Sequence, residues 1–250
     1  MCMNNNIPFI QQVDEMGHWD VNQLIDDIRT LYQTTGCDWD QWKKINKISN
    51  GSFVNSILHD SQGYLNLTYN PGLTTSLEER LWSFSGRKNQ ERNDVADGDL
   101  HTLQPELKGT YIEKLFNKFN EVLGPVRMRL HNKANRYGLY WHRDMFDERS
   151  SYRYHLPLWT NPGHFLVWST SNFKWMNGYD PKECESDIPI NAQFMPVSGY
   201  VSKVATGLYT HGVSSIDVGW NGGKQLQSRC HIIVIPIKPS NKHSPYIGNI

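Results

Sequence analysis

The sequence predicts a mainly β protein, a sandwich or barrel with supporting N-terminal helices. Three observations carry that expectation. From Val126 onward, short segments rich in β-branched and aromatic residues recur, with Gly, Pro, Asn or Asp between most of them. The apolar positions that recur at helical spacing all lie before that point. The length, 250 residues, suits one integrated unit whose core needs no covalent staples.

Asp20 is placed to cap a helix in which Val21, Leu24, Ile25, Ile28 and Leu31 share one face. Ser52 to Leu58 and Tyr64 to Tyr69 read as a hairpin turning at Asp60-Ser61-Gln62-Gly63. A short helix is expected from Ser76, with Glu79 completing a capping box. Residues 85–108 lose periodicity and read as a polar loop, either covering a substrate or disordered. The next helix has the clearest signature. Thr110 and Glu113 make a capping box, Ile112, Leu115, Phe116, Phe119, Val122 and Leu123 form an apolar stripe for the core, and Gly124-Pro125 stops it. Strands are then expected at 126–130, 138–143, 152–159, 164–169, 200–205, 208–213 and 229–237. Residues 1–125 thus form a helical and hairpin region packing on a β core at 126–240, with a tail at 241–250.

Charge and cysteine usage narrow the function. Lys and Arg number 25 and Asp and Glu number 25, so the formal net charge is zero. That balance argues against a nucleic-acid partner and gives no polybasic membrane anchor. The first residues lack the basic start and apolar run of a signal peptide, and no stretch is apolar enough to span a bilayer. Cys2, Cys37, Cys184 and Cys230 form no Cys-x-x-Cys pair and are too sparse for a disulfide framework. The expectation is a cytoplasmic protein with reduced thiols, acting on a small molecule or a peptide.

Histidine stands out, with 10 copies. His142-Arg143-Asp144 places an imidazole and a carboxylate at alternate positions, which share a face in a strand. His211 lies on a later strand, between Tyr209-Thr210 and Gly212-Val213. Two imidazoles and one carboxylate make the facial triad of non-haem Fe(II) oxygenases, which leaves metal positions open. Arg153-Tyr154-His155-Leu156-Pro157-Leu158 puts Arg153 and His155 on one face and Tyr154, Leu156 and Leu158 on the other. A guanidinium on a half-buried strand calls for an anion. Arg229 opens the apolar run Cys230 to Ile235 and raises the same demand. Arg127 and Arg129 share a face opposite Val126, Met128 and Leu130. Internal, that face binds a substrate carboxylate; external, it is simply solvated. His164, beside Pro162-Gly163, reads as a turn residue.

The order His142-x-Asp144, Arg153-x-His155-x-Pro157-Leu158, His211-x-Val213 and Arg229 resembles the aspartyl/asparaginyl β-hydroxylase family of 2-oxoglutarate- and iron-dependent dioxygenases, over roughly residues 126–237. The resemblance implies a double-stranded β-helix (a jelly roll, cupin-like) in which His142, Asp144 and His211 hold Fe(II). It implies that Arg153, His155 and Arg229 surround the carboxylates of the cosubstrate 2-oxoglutarate. With O2 as second cosubstrate, the implied reaction hydroxylates an unactivated C–H of an amino acid, free or in a peptide, releasing succinate and CO2. Asp144 favours hydroxylation over halogenation, since related halogenases leave that ligand position to chloride. Arg229 follows His211 by 18 residues, so an enlarged hairpin turning at Asn221-Gly222-Gly223 must separate them. Two other classes accommodate the same histidines: a non-catalytic jelly-roll binding protein, and a cupin-like metalloenzyme without 2-oxoglutarate. The latter has no need of an anion clamp at Arg153 and Arg229.

Overall fold

The computed structural model describes residues 8–35, 62–72, 77–82, 100–133, 139–142, 152–160, 164–169, 191–194, 197–207, 209–215 and 229–237. In chain order these contain β1 (Ile10–Gln12), α1 (Val21–Thr35), β2 (Gln62–Asn66), β3 (Thr68–Tyr69), α2 (Leu77–Trp82), β4 (Thr102–Leu103) and α3 (Tyr111–Leu123). Then come β5 (Val126–Lys133), β6 (Leu139–His142), β7 (Arg153–Trp159), β8 (His164–Ser169), β9 (Asn191–Phe194), β10 (Ser202–Val204), β11 (Thr210–Ser215) and β12 (Arg229–Pro236). The protein is mostly β, with antiparallel sheets and few helices.

The strands form a six-stranded sheet in the order β1-β10-β7-β12-β5-β2, a four-stranded sheet β6-β11-β8-β9, and the small pair β3-β4. From β5 to β12 the chain changes sheet at every step except β8 to β9, which pair as neighbours. This alternation sets non-consecutive strands side by side, β7 beside β12 and β6 beside β11.

One face of the larger sheet is covered by α1 and α3. Leu24, Ile28 and Leu31 of α1 and Ile112, Leu115 and Phe119 of α3 join a core with Met128, Leu130, Tyr154, Leu156, Ile232 and Val234. Each such side chain contributes about 1.5–3 kcal/mol on leaving water. Burial among these groups pushes the Tyr154 hydroxyl up to about 12. Asp20 caps α1 by accepting from the backbone N–H of Asn22 at 2.9 Å. Hydrogen bonds from the Gln23 side chain and the Asn22 backbone hold its carboxyl below the ordinary range. Thr110 caps α3, its Oγ1 accepting from Glu113 N–H at 3.4 Å, and Gly124 ends the helix at φ 77°.

Several expectations are corrected. Gln62 and Gly63 are strand rather than turn, because β2 pairs with β5 along the sheet edge; the partner expected at 52–58, like Ser76, lies outside the described residues. Within the expected loop 85–108, the described part is ordered. Leu100, Leu103 and Leu107 are buried, β4 pairs with β3, and a 3₁₀ turn spans Pro105–Leu107. Glu113 closes its capping box on Gly109 N–H, at 2.7 Å, rather than on Thr110. His164 begins β8 instead of a turn. The strand β9 had no counterpart in the expected set.

Candidate active site

The alternation of each strand assigns its two faces. On β5, Val126, Met128 and Leu130 pack under the helices, so Arg127, Arg129 and His131 take the other side. Register carries that side across the sheet: Arg129 opposes Ile233, Ile233 opposes His155, and His155 opposes Ser202. His131 likewise opposes His231, and Arg153 opposes Val204. All these groups therefore share one face.

That face meets the four-stranded sheet. Val204 packs with Leu166 of β8 in a second apolar cluster containing Phe9, Ala205 and Tyr209. Leu166 shares its strand face with Trp168, and Trp168 opposes His211. His211 is thus on the side of its sheet that faces the basic groups.

His211 is also the register partner of His142. The two positions, remote in sequence, are cross-strand neighbours, a spacing at which Cβ atoms lie about 4.5–5.5 Å apart. The His211 ring is 3% exposed and its Nδ1 is 3.2 Å from the Tyr209 carbonyl oxygen. A carbonyl can only accept, so Nδ1 carries the proton, and in the neutral ring the lone pair then lies on Nε2. Metal-bound histidines are commonly oriented in this way. The fit of this donor to Fe(II) is therefore good. Asp144 lies outside the described residues, and among the described residues no three His, Cys, Asp or Glu groups converge as a metal site.

The inner face of the larger sheet is unusually polar. Arg127 is 1% exposed and Arg129 4%, which removes the solvated alternative for this pair. His131, His155 and His231 are buried beside them. His155 Nδ1 and His231 Nδ1 are 3.4 Å apart with perpendicular rings, so one donates and the other accepts. Arg153 is half-buried at the start of β7, and Arg229 opens β12 opposite Lys133. The turn expected at Asn221-Gly222-Gly223 lies outside the described residues.

Sequence reasoning left His131 and His231 unassigned. The available signal was the pattern Arg127-x-Arg129-x-His131, whose intervening residues already form a complete apolar face. Polar groups alternating with that face must line an interior once a second sheet covers them.

No family model matches the chain, and no curated protein matches it. Among solved structures, the chain is similar to a prolyl-4-hydroxylase from Pseudomonas putida, at 11% identity over 91% of each chain with a TM-score of 0.40. It is similar to AviO1 from Streptomyces viridochromogenes, at 18% identity over 57% of this chain and 65% of that one, TM-score 0.34. A third is an oxidoreductase of the 2OG-Fe(II) oxygenase family from Burkholderia pseudomallei, at 14% identity over 48% of each chain, TM-score 0.29.

Proposed function

We propose that this protein is an Fe(II)- and 2-oxoglutarate-dependent dioxygenase that hydroxylates an unactivated C–H of an amino acid, free or in a peptide. The observation that carries the reading is the register pairing of His142 with His211 on neighbouring strands. The sheet orders support a jelly roll, since they follow from a chain that alternates between two facing sheets. The aspartyl/asparaginyl β-hydroxylase resemblance supplies the finer assignment of His142, Asp144 and His211 as ligands and of Arg153, His155 and Arg229 around 2-oxoglutarate.

When bound, Fe(II) with 2-oxoglutarate as co-reductant would activate O2, the oxidant for C–H hydroxylation. The chain does the rest. Tyr209 holds His211 in the tautomer that presents Nε2. Arg153 and Arg229 offer planar guanidinium forks, which grip a carboxylate at two points where lysine grips it at one. Helices over the outer face and the second sheet over the inner face keep bulk water from the histidines.

Anaerobic addition of Fe(II) and 2-oxoglutarate should produce a weak visible charge-transfer band, absent in His211→Ala. Failure of the band in the wild type, or its persistence in that variant, would sink the assignment. Asp144→Ala should abolish substrate-dependent succinate release; unchanged release removes Asp144 from the metal. Iron binding with no response to 2-oxoglutarate would instead identify a cupin-like metalloenzyme.

A further inference from the structure

We infer that Trp168 and Gln193 form the wall against which substrate lies, and that this wall takes a neutral peptide amide rather than a free amino acid. The inference rests on the dioxygenase reading above and narrows the choice that reading leaves open, an amino acid free or in a peptide.

Three features point there. First, register extends the candidate metal site sideways. In the four-stranded sheet His211 opposes His142 on β6 and Trp168 on β8, and Trp168 opposes Asn191 on β9. Directly opposed residues of an antiparallel pair share a face, with Cβ atoms about 4.5–5.5 Å apart. Trp168 thus lies one strand from His211, on the side away from His142. The next inward row sets Leu166 opposite Gln193. Gln193 is therefore the diagonal neighbour of Trp168, about 7–8 Å away and within reach of long side chains.

Second, this end of the inward face is open. Leu166 is 2% exposed and packs with Val204 of the larger sheet. Gln193, opposite Leu166 on the same face, is exposed, and Trp168 is only half-buried. An inward face that reaches solvent at its edge gives a ligand a way in beside the histidines.

Third, the two side chains match one chemical group. The Trp168 indole is stacked on Phe9, with centroids 4.5 Å apart and planes 15° from parallel, which holds the ring in place. Among the described residues nothing accepts from its N–H, so a fixed donor is presented at the opening. The Gln193 carboxamide both donates and accepts. A peptide unit is planar, offers one acceptor and one donor, and carries no charge, so it suits both groups. A free amino acid brings an ammonium and a carboxylate, and neither wall group has a counter-charge to offset their lost hydration.

The test uses the full chain loaded with Fe(II) and 2-oxoglutarate. It is given tripeptides, N-acetylated and C-amidated, in pools that each fix one central residue, and separately the matching free amino acids. Succinate should be released with at least one pool and with no free amino acid. On that pool, Trp168→Phe keeps a ring on Phe9 but loses the N–H, and Gln193→Ala changes an exposed side chain. Each should raise the peptide KM about five- to tenfold, with kcat falling far less, while the iron–2-oxoglutarate band still forms. A merely structural loss would lower kcat with the folded fraction and leave KM unchanged. The proposal is overturned if a free amino acid releases succinate, if no pool does so although the band forms, or if either variant keeps the wild-type KM. Absence of the band in the wild type rejects the dioxygenase itself, and the substrate wall with it.

Discussion

At the scale of single residues, Gly199 leaves no room for a side chain. Its φ is +81°, and a Cβ built there would sit 2.6 Å from His18 Nε2 and 2.8 Å from the Trp19 carbonyl oxygen. The close approach is functional for the fold, because Gly199 N–H donates to the Pro157 carbonyl and its own carbonyl accepts from Trp19 N–H. The segment before α1 is thereby tied to the end of β7. Gly199→Ala combines left-handed strain with a clash against backbone and should destabilise the protein by more than about 2 kcal/mol. Gly124 has a similar φ, 77°, with nothing within 4 Å of a built Cβ. Gly124→Ala should therefore cost only about 1 kcal/mol. Urea unfolding of the two variants reads the difference, and equal midpoints would show that the clash relaxes freely.

Elements are joined by polar groups that respond to pH. Arg80 on α2 grips Glu106 beside β4, with both side chains less than one-fifth exposed. Burial pushes the Glu106 carboxyl up, but the hydrogen bonds and charge of Arg80 outweigh it, and the group ends below its ordinary range. A carboxyl depressed in the folded state stabilises that state above its unfolded value and loses the contribution as pH falls through the folded one. Wild type should therefore lose about 1–2 kcal/mol across the acid range that Glu106→Gln does not lose. Parallel stability–pH curves would dismiss the pair. This region also shows where the sequence was legible. The α3 stripe and seven of the later strands were read from periodicity and turn residues, since both signals are local. By contrast, Leu103 and Leu107 sit among polar residues, and their burial depends on helices and strands far along the chain. Asn191–Phe194 has too few β-formers to announce a strand and owes its state to the partner β8. His142 and His211 were found as residue types; that they are neighbours is a property of register, which no local pattern reveals.

Over the whole molecule, the two apolar clusters divide the labour between stability and site. The larger one fixes the helices on the outer face, while the smaller one lies between the sheets, next to His211. Phe9, just before β1, stacks on Trp168 with centroids 4.5 Å apart and lies 6.0 Å from the His211 ring. Its carbonyl accepts from Ala205 N–H at 2.8 Å, so the N-terminal segment is anchored to the same strand that carries Val204. An early residue is thus part of the wall that holds a late histidine. Phe9→Ala should lower stability by about 3–5 kcal/mol and, if His211 binds metal, weaken iron binding about tenfold by loosening the ring. Phe119→Ala provides the matching control, because Phe119 is equally buried but belongs to the helix side. It should cost similar stability and leave iron affinity unchanged. Phe9→Leu, which retains most of the apolar volume, should recover both properties in large part. Equal loss of iron affinity in Phe9→Ala and Phe119→Ala would mean that general destabilisation, rather than the packing beside His211, governs the metal.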